Sequence, residues 1–356
     1  MTKHPPRTRT PLLTAALAAS ALISAPYLFA QTTPAPTPQP TTAVNITEIT
    51  PEVREAVQRG FAILRAEQAP DGSFGGNRYG RNVGITALAC LALMADGNMP
   101  DRGPYADVIE KGLRFILASS SDAGLLAADT SHGPMYGHGF ATLFLGEVYG
   151  MTHNPEVRTA LRRAVRLIVA SQNPQGGWRY HPVPADADIS VTICQIMALR
   201  SARNAGLSVP KQTIDRAIEY VRQCQNPQDG GFRYMLGSGG SAFPRSAAGL
   251  ASLYYAGIYD GPEIDSALEY LNRHLPTGPN AQQGGHYYYG QYYAVQAMFL
   301  AGGEHWETWY PAAREALLAR QQPNGGWPGN HGGAYSTAMA LLVLQMPNRL
   351  LPIFER

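Results

Sequence analysis

Charge and cysteine are both scarce in this 356-residue chain: charged side chains make up 15% of it, and cysteine occurs three times. Three cysteines cannot build a disulfide scaffold over such a length, so a stapled small-domain architecture is excluded. Low charge beside a 45% hydrophobic content excludes disorder for most of the chain, because there is enough apolar surface to fill a core. A strong charge of one sign is missing as well. The formal net charge is +2, and the first thirty residues hold Lys3, Arg7 and Arg9 with no acid, so the remainder is close to neutral. A near-neutral body argues against a nucleic-acid partner.

The basic start is followed by an apolar run from Leu12 to Ala30, with Ser24, Ala25 and Ala30 toward its end. That is the pattern of a signal peptide over residues 1–30, cleaved after Ala30, which would place the protein in the periplasm or outside the cell. An uncleaved anchor is the alternative; Pro26 and the Ser/Thr residues weigh against it, and no stable span is expected after processing. Residues 31–49 form a Pro/Thr-rich linker that cannot pack. The folded domain is expected over residues 50–347, with 348–356 as a C-terminal tail.

Abundance lies in punctuation, 37 glycines and 28 prolines, and the punctuation is periodic. Gln68-Ala-Pro-Asp-Gly72-Ser-Phe74, Gln172-Asn-Pro-Gln-Gly176-Gly-Trp178 and Gln321-Gln-Pro-Asn-Gly325-Gly-Trp327 share the pattern Gln-x-x-x-Gly-x-aromatic. A fourth copy, from Gln225 to Phe232, carries one extra residue, and degraded copies surround Gly124 and Gly284. The glycines at 72, 124, 176, 230, 284 and 325 mark six repeats. An amphipathic helix precedes most motifs, as in Val53–Arg65 and Val157–Ala170. A more apolar helix follows each, as in Gly84–Ala95 and Ser190–Ser201. Six outer and six inner helices predict an all-α (α/α)6 toroid barrel, with an open solenoid as the alternative.

The Gln-x-x-x-Gly-x-Trp series resembles the repeat of squalene and oxidosqualene cyclases, shared in looser form by protein prenyltransferase β subunits. The resemblance covers about residues 52–346 and implies that Gln68, Phe74, Gln172, Trp178, Gln225, Phe232, Gln321 and Trp327 are structural. An amide can satisfy orphan backbone groups at helix ends, and glycine lets the chain turn with positive φ. The motif therefore identifies a fold more strongly than a chemistry.

Function is expected where loops meet the N-terminal ends of the inner helices. Asn82, His138, Asp186, Asp188, Arg245, Tyr288, Tyr289, Gln291, His331 and Tyr335 fall there. Asp186-Ala-Asp188-Ile189-Ser190 resembles the Asp-x-Asp-Asp-Thr of class II triterpene cyclases, whose middle acid protonates the substrate. The resemblance implies Asp188 as proton donor, beside Asp186. Ile189 replaces the third acid, so classical cyclisation is not expected; helix capping is the competing reading of both carboxylates. The prenyltransferase zinc set is absent: no Asp-x-Cys occurs, and Ser336 stands where its histidine would be. The Cys-Gly-Glu-Gln motif of complement-type thioester domains, which share the barrel, is absent too. No metal and no cofactor are expected.

Taken together, these readings predict a monomer that binds or acts on an apolar, isoprenoid-like small molecule. If it is an enzyme, the resemblance implies a terpene cyclase/mutase-like isomerase. A non-catalytic barrel that binds another protein, and a secreted polysaccharide-processing enzyme with paired acids, remain the alternatives.

Overall fold

The computed structural model describes residues 49–355 apart from 77, 78, 131, 278–283 and 285. The signal peptide, nearly all of the linker and Gln282 of the fifth motif lie outside the described residues. Twelve α-helices follow in order: α1 (Pro51–Glu67), α2 (Val83–Met94), α3 (Ala106–Ala118), α4 (Met135–Thr152), α5 (Pro155–Ser171) and α6 (Ile189–Asn204). The second half holds α7 (Lys211–Cys224), α8 (Phe243–Tyr255), α9 (Pro262–Asn272), α10 (Tyr287–Ala301), α11 (Gly303–Leu318) and α12 (Gly333–Leu344). Among the described residues β-structure is confined to isolated bridges such as Gln225–Phe232.

Odd-numbered helices are outer and buried on one stripe only. In α5 that stripe is Val157, Ala160, Leu161, Ala164, Val165 and Ile168. Even-numbered helices are inner and apolar all round; every residue of α2 is buried. Two of the outer helices, α1 and α5, start where the sequence supplies a cap and a proline. Thr50 and Asn154 accept amides of the first turn, and Pro51 and Pro155 occupy its first position. The inner helices pack side by side from α2 to α12, and α12 packs back against α2, so the ring is closed. The (α/α)6 toroid is therefore the architecture.

The repeated motif is the joint between outer helices. Gln172 Nε2 donates to the Gly176 carbonyl of its own turn at 2.7 Å, and to the Thr213 carbonyl of α7 at 2.8 Å. Gln68 does the same to Gly72 and Val108 of α3, and Gln225 to Gly230 and Glu263 of α9. Gln321 reaches Gly325 and Ala56 of α1, both at 2.8 Å, which closes the outer ring. The six motif glycines have φ between +74° and +101°. At Gly176 a Cβ would sit 2.1 Å from the Arg216 carbonyl oxygen, so the turn presses directly onto the next outer helix. At Gly206 and Gly257, also with positive φ, no described atom lies within 4 Å of an added Cβ. Trp178 and Trp327 occupy equivalent buried sites, with Nε1 donating to Ile168 O at 2.7 Å and Leu317 O at 2.8 Å.

The segment after α12 differs from the expected tail. Leu351, Ile353 and Phe354 are buried among the C-terminal ends of the inner helices. Gln345 and Asn348 donate to Ala92 O and Ala95 O, and Arg200 Nη2 donates to Glu355 O at 2.7 Å. The Ile353 amide donates to Glu147 Oε2 at 3.2 Å, and Ser201 Oγ is 2.7 Å from Glu147 Oε1. These apolar residues bind the terminus into the end of the ring opposite the mouth.

Two predictions follow from this packing. Gly206→Ala should cost only the left-handed backbone strain, about 1–2 kcal/mol, whereas Gly176→Ala should cost clearly more in urea unfolding, because a backbone carbonyl blocks it. Burial pushes the Glu147 carboxyl up to about 7. A raised acid pKa means its contribution to stability is complete below its ordinary range and is lost as pH rises through about 7. Glu147→Gln should remove that slope, matching wild type at acidic pH and equalling or exceeding it at pH values above 7; urea midpoints across that range check it.

Candidate functional site

Because the inner helices run parallel, their N-terminal ends converge on one face of the toroid. A cavity of about 650 Å³ opens there. Aliphatic and aromatic side chains form its walls: Ile85, Leu88, Tyr136, Phe140, Tyr180, Tyr234, Tyr289 and Tyr335. Arg245 is the one permanently charged side chain in the lining among the described residues, and His132, His286 and His331 add titratable nitrogen. No carboxylate of the described residues lines it. The positive ends of the helix dipoles reinforce that balance. α4, α8, α10 and α12 begin without a side-chain cap, whereas α2 and α6 have Asn82 and Asp188.

Polar groups in the wall are tied to backbone and to one another. Arg245 donates from Nε to Phe232 O at 3.2 Å and from Nη2 to Gly240 O at 2.6 Å. Tyr289 donates to Ser190 O at 2.8 Å, and the Tyr180 and Tyr234 hydroxyls bond to each other. His331 Nδ1 is 3.0 Å from the Tyr79 hydroxyl, and its ring stacks on His286 with centroids 5.8 Å apart.

Of the residues expected at the mouth, Asn82, Arg245, Tyr289, His331 and Tyr335 line the cavity together. Tyr288 lines a smaller adjoining recess of about 130 Å³ and donates to Pro328 O. Gln291 is buried in α10 and is not part of the lining. His138 requires a correction. It is fully buried, and its Nδ1 accepts the Leu126 amide at 3.1 Å. In other repeats a hydroxyl from the first turns of the inner helix does this work: Thr86 for Phe74, Thr192 for Trp178, Ser246 for Phe232 and Thr337 for Trp327. His138 therefore closes a repeat turn, and burial lowers its pKa to about 4, keeping it neutral.

The two acids also lie off the lining. Asp186 is exposed and paired with Arg179. Asp188 is fully buried, and its Oδ1 accepts the Ser190 and Val191 amides, both at 2.9 Å. Asn82 makes the same pair of bonds to Gly84 and Ile85 at the start of α2. Asp188 Oδ2 lies 3.9 Å from Arg179 Nε and is buried without a well-formed hydrogen bond. Burial pushes this carboxyl up to about 6, against the two amides, Arg179 and the Tyr234 hydroxyl, which favour the charged form.

Sequence reasoning passed over Tyr79, His132, Tyr136, Phe140, Tyr180, Tyr234 and His286. For two of them a signal existed: Tyr180 and Tyr234 each stand two residues beyond the motif aromatic, where the first and last repeats have Gly76 and Gly329.

Comparison with known proteins follows this geometry. Two drimenyl diphosphate synthases are similar in sequence. The protein from Streptomyces showdoensis is 29% identical over 185 residues, which is 51% of this chain and 32% of that protein. The protein from Streptantibioticus cattleyicolor is 26% identical over 235 residues, 64% and 39% of the two lengths. The chain thus spans well under half the length of these relatives. Among solved structures, a variant type II terpene cyclase from Scytonema, in complex with geranylgeranyl dihydroxybenzoate, superposes with a TM-score of 0.60 at 15% identity over 84% of this chain and 98% of that one. A variant α-1,6-mannanase from Salegentibacter, in complex with α-1,6-mannotriose, superposes with a TM-score of 0.64 at 11% identity over 84% and 99%. Such distant likenesses establish fold alone. The family model of the prenyltransferase alpha-alpha toroid domain matches residues 42–273 and 138–331, so the chain belongs to that family of toroids.

Proposed function

We propose that the toroid binds an apolar, isoprenoid-like ligand in the mouth cavity, with any acidic end of the ligand toward Arg245. The observation that carries this reading is the lining itself: aliphatic and aromatic walls with, among the described residues, one guanidinium and no carboxylate. Its volume lies inside the range of about 300–1,000 Å³ typical of small-molecule sites. The diphosphate synthases similar in sequence, and the terpene cyclase similar in fold, support an isoprenoid over other apolar molecules. Glycoside hydrolysis is disfavoured, because it needs two carboxylates flanking the scissile bond and the described residues of the cavity present none.

The same lining argues for binding without classical cyclisation. A donor that protonates an alkene must touch it. Asp188 is sealed behind Ser190 and Tyr234, and it serves α6 as Asn82 serves α2. Export to the periplasm or beyond belongs to the same reading and rests on the leader pattern of residues 1–30.

Calorimetric titration tests the ligand class. Farnesoic acid should bind, α-1,6-mannotriose should not, and Arg245→Ala should weaken the acid about tenfold, or ~1.4 kcal/mol, while sparing farnesol. Saccharide binding with no isoprenoid binding would sink the proposal. Asp188 is tested by a pair of substitutions. Asp188→Asn should leave both ligand binding and folding intact, since Asn caps a helix as well as Asp, whereas Asp188→Ala should lower stability by about 0.5–2 kcal/mol. Conversion of squalene to a cyclic product by the wild type, lost in Asp188→Asn, would show instead that this carboxyl is a catalytic acid.

A further inference from the structure

On four of its six helices the outer ring pairs charges at helical spacing. Glu55–Arg59 on α1, Glu110–Arg114 on α3, Lys211–Asp215 on α7 and Glu269–Arg273 at the end of α9 are all ion pairs four residues apart. Opposite charges at that spacing support a helix, and like charges there repel. On α5 the spacing is filled by like charges: Arg158, Arg162 and Arg166 succeed one another along one line, with Arg163 beside it. All four are exposed, and none forms an ion pair among the described residues. Glu156 is the only acid on the helix. The ring places α11 diametrically opposite, and there Glu304, Glu307 and Glu315 are exposed. Charge is therefore separated across the toroid, although the whole chain is near neutral.

We propose that the α5 face docks this protein onto the surface of an anionic lipid bilayer. The stripe from Arg158 to Arg166 is about 12 Å long and offers guanidinium forks that suit phosphate headgroups. The acidic α11 side turns the molecule so that α5 meets a negative plane. A nucleic acid fits less well: single strands need a groove with stacking aromatics, and the exposed residues of α5 include no aromatic side chain. The choice of a bilayer also draws on the proposed apolar ligand, which would partition into lipid. Vesicle docking is read without that ligand, so either proposal can fail while the other stands.

The experiment is co-sedimentation of the chain from Thr50 to its C-terminus, within which all twelve helices close the ring, with vesicles of phosphatidylglycerol mixed into phosphatidylcholine, and with phosphatidylcholine alone. Binding is expected to the anionic vesicles only and to disappear in about 1 M salt. The triple variant R158Q/R162Q/R166Q should bind about a hundredfold more weakly, with unchanged helical dichroism. A second variant, E304Q/E307Q/E315Q, controls for folding and should retain binding. Equal binding to both vesicle types, undiminished binding by the arginine variant, or no pelleting at low salt would overturn the proposal. So would salt-sensitive self-association, or heparin binding without vesicle binding, which would assign the face to a second copy or to a soluble polyanion.

Discussion

One side chain on each regular repeat decides where the outer helices go. The glutamine at the end of an outer helix spends both amide hydrogens on carbonyls, one in its own turn and one in the next outer helix. That second carbonyl belongs to a first helical turn, or lies close to one, so the bond sets how far along its neighbour each helix stands. The left-handed glycine then lets backbone touch backbone, as at Gly176 against Arg216. Each bond contributes about 0.5–1.5 kcal/mol net. Their larger effect is geometric. A ring of six pairs closes only if its steps add up to one full turn, and the Gln321 bond to Ala56 returns the last step to the first.

The direction of the inner helices follows from that joint, and the electrostatics of the mouth follow from the direction. Every turn carries the chain across to the start of an inner helix, so six N-termini face one opening. Amides there demand acceptors, and the positive ends of the dipoles favour negative charge. A carboxylate placed at such a start is drawn into capping, as Asp188 is. An asparagine does the same for α2 without the cost of burying a charge. The carboxylate therefore brings something the cap does not require, a second oxygen held near Arg179 and Tyr234. That surplus is the physical reason Asp188, alone among the caps, deserves a mutational test.

The fold was legible because its signal is repeated. A single Gln-x-x-x-Gly-x-aromatic would be weak; six evenly spaced glycines fix helix ends, turn conformation and ring closure together. Trp178 and Trp327 sit where that register puts them. The mouth was half legible. Arg245, Tyr289 and Tyr335 could be placed from their position at an inner-helix start. His138 misled because its place at the start of an inner helix puts it at the mouth, yet the repeat needs one acceptor at that point and imidazole supplies it as well as threonine. The C-terminal residues misled in another way. Leu351, Ile353 and Phe354 lie beyond the last motif, and nothing local shows that this segment packs against the far ends of α4 and α6. Non-local burial leaves no periodic trace.

That far end bears on how the cavity works. The inner helices present their C-terminal carbonyls there, and the chain terminus supplies donors for helix ends and for buried side chains alike: Gln345 and Asn348 to α2, and the Ile353 amide to Glu147. Arg200 answers with its guanidinium on Tyr255 O and Glu355 O. Apolar residues fill the space between. With that end occupied, the ligand proposed above would enter and leave by the mouth. A molecule with one apolar and one charged end then has a preferred orientation: the apolar end goes in toward Leu88 and Phe140, and the charged end stays with Arg245, because burying it deeper would strip its water without offering a partner. In the proposed reading, closure of the far end would favour amphiphiles as much as the lining does.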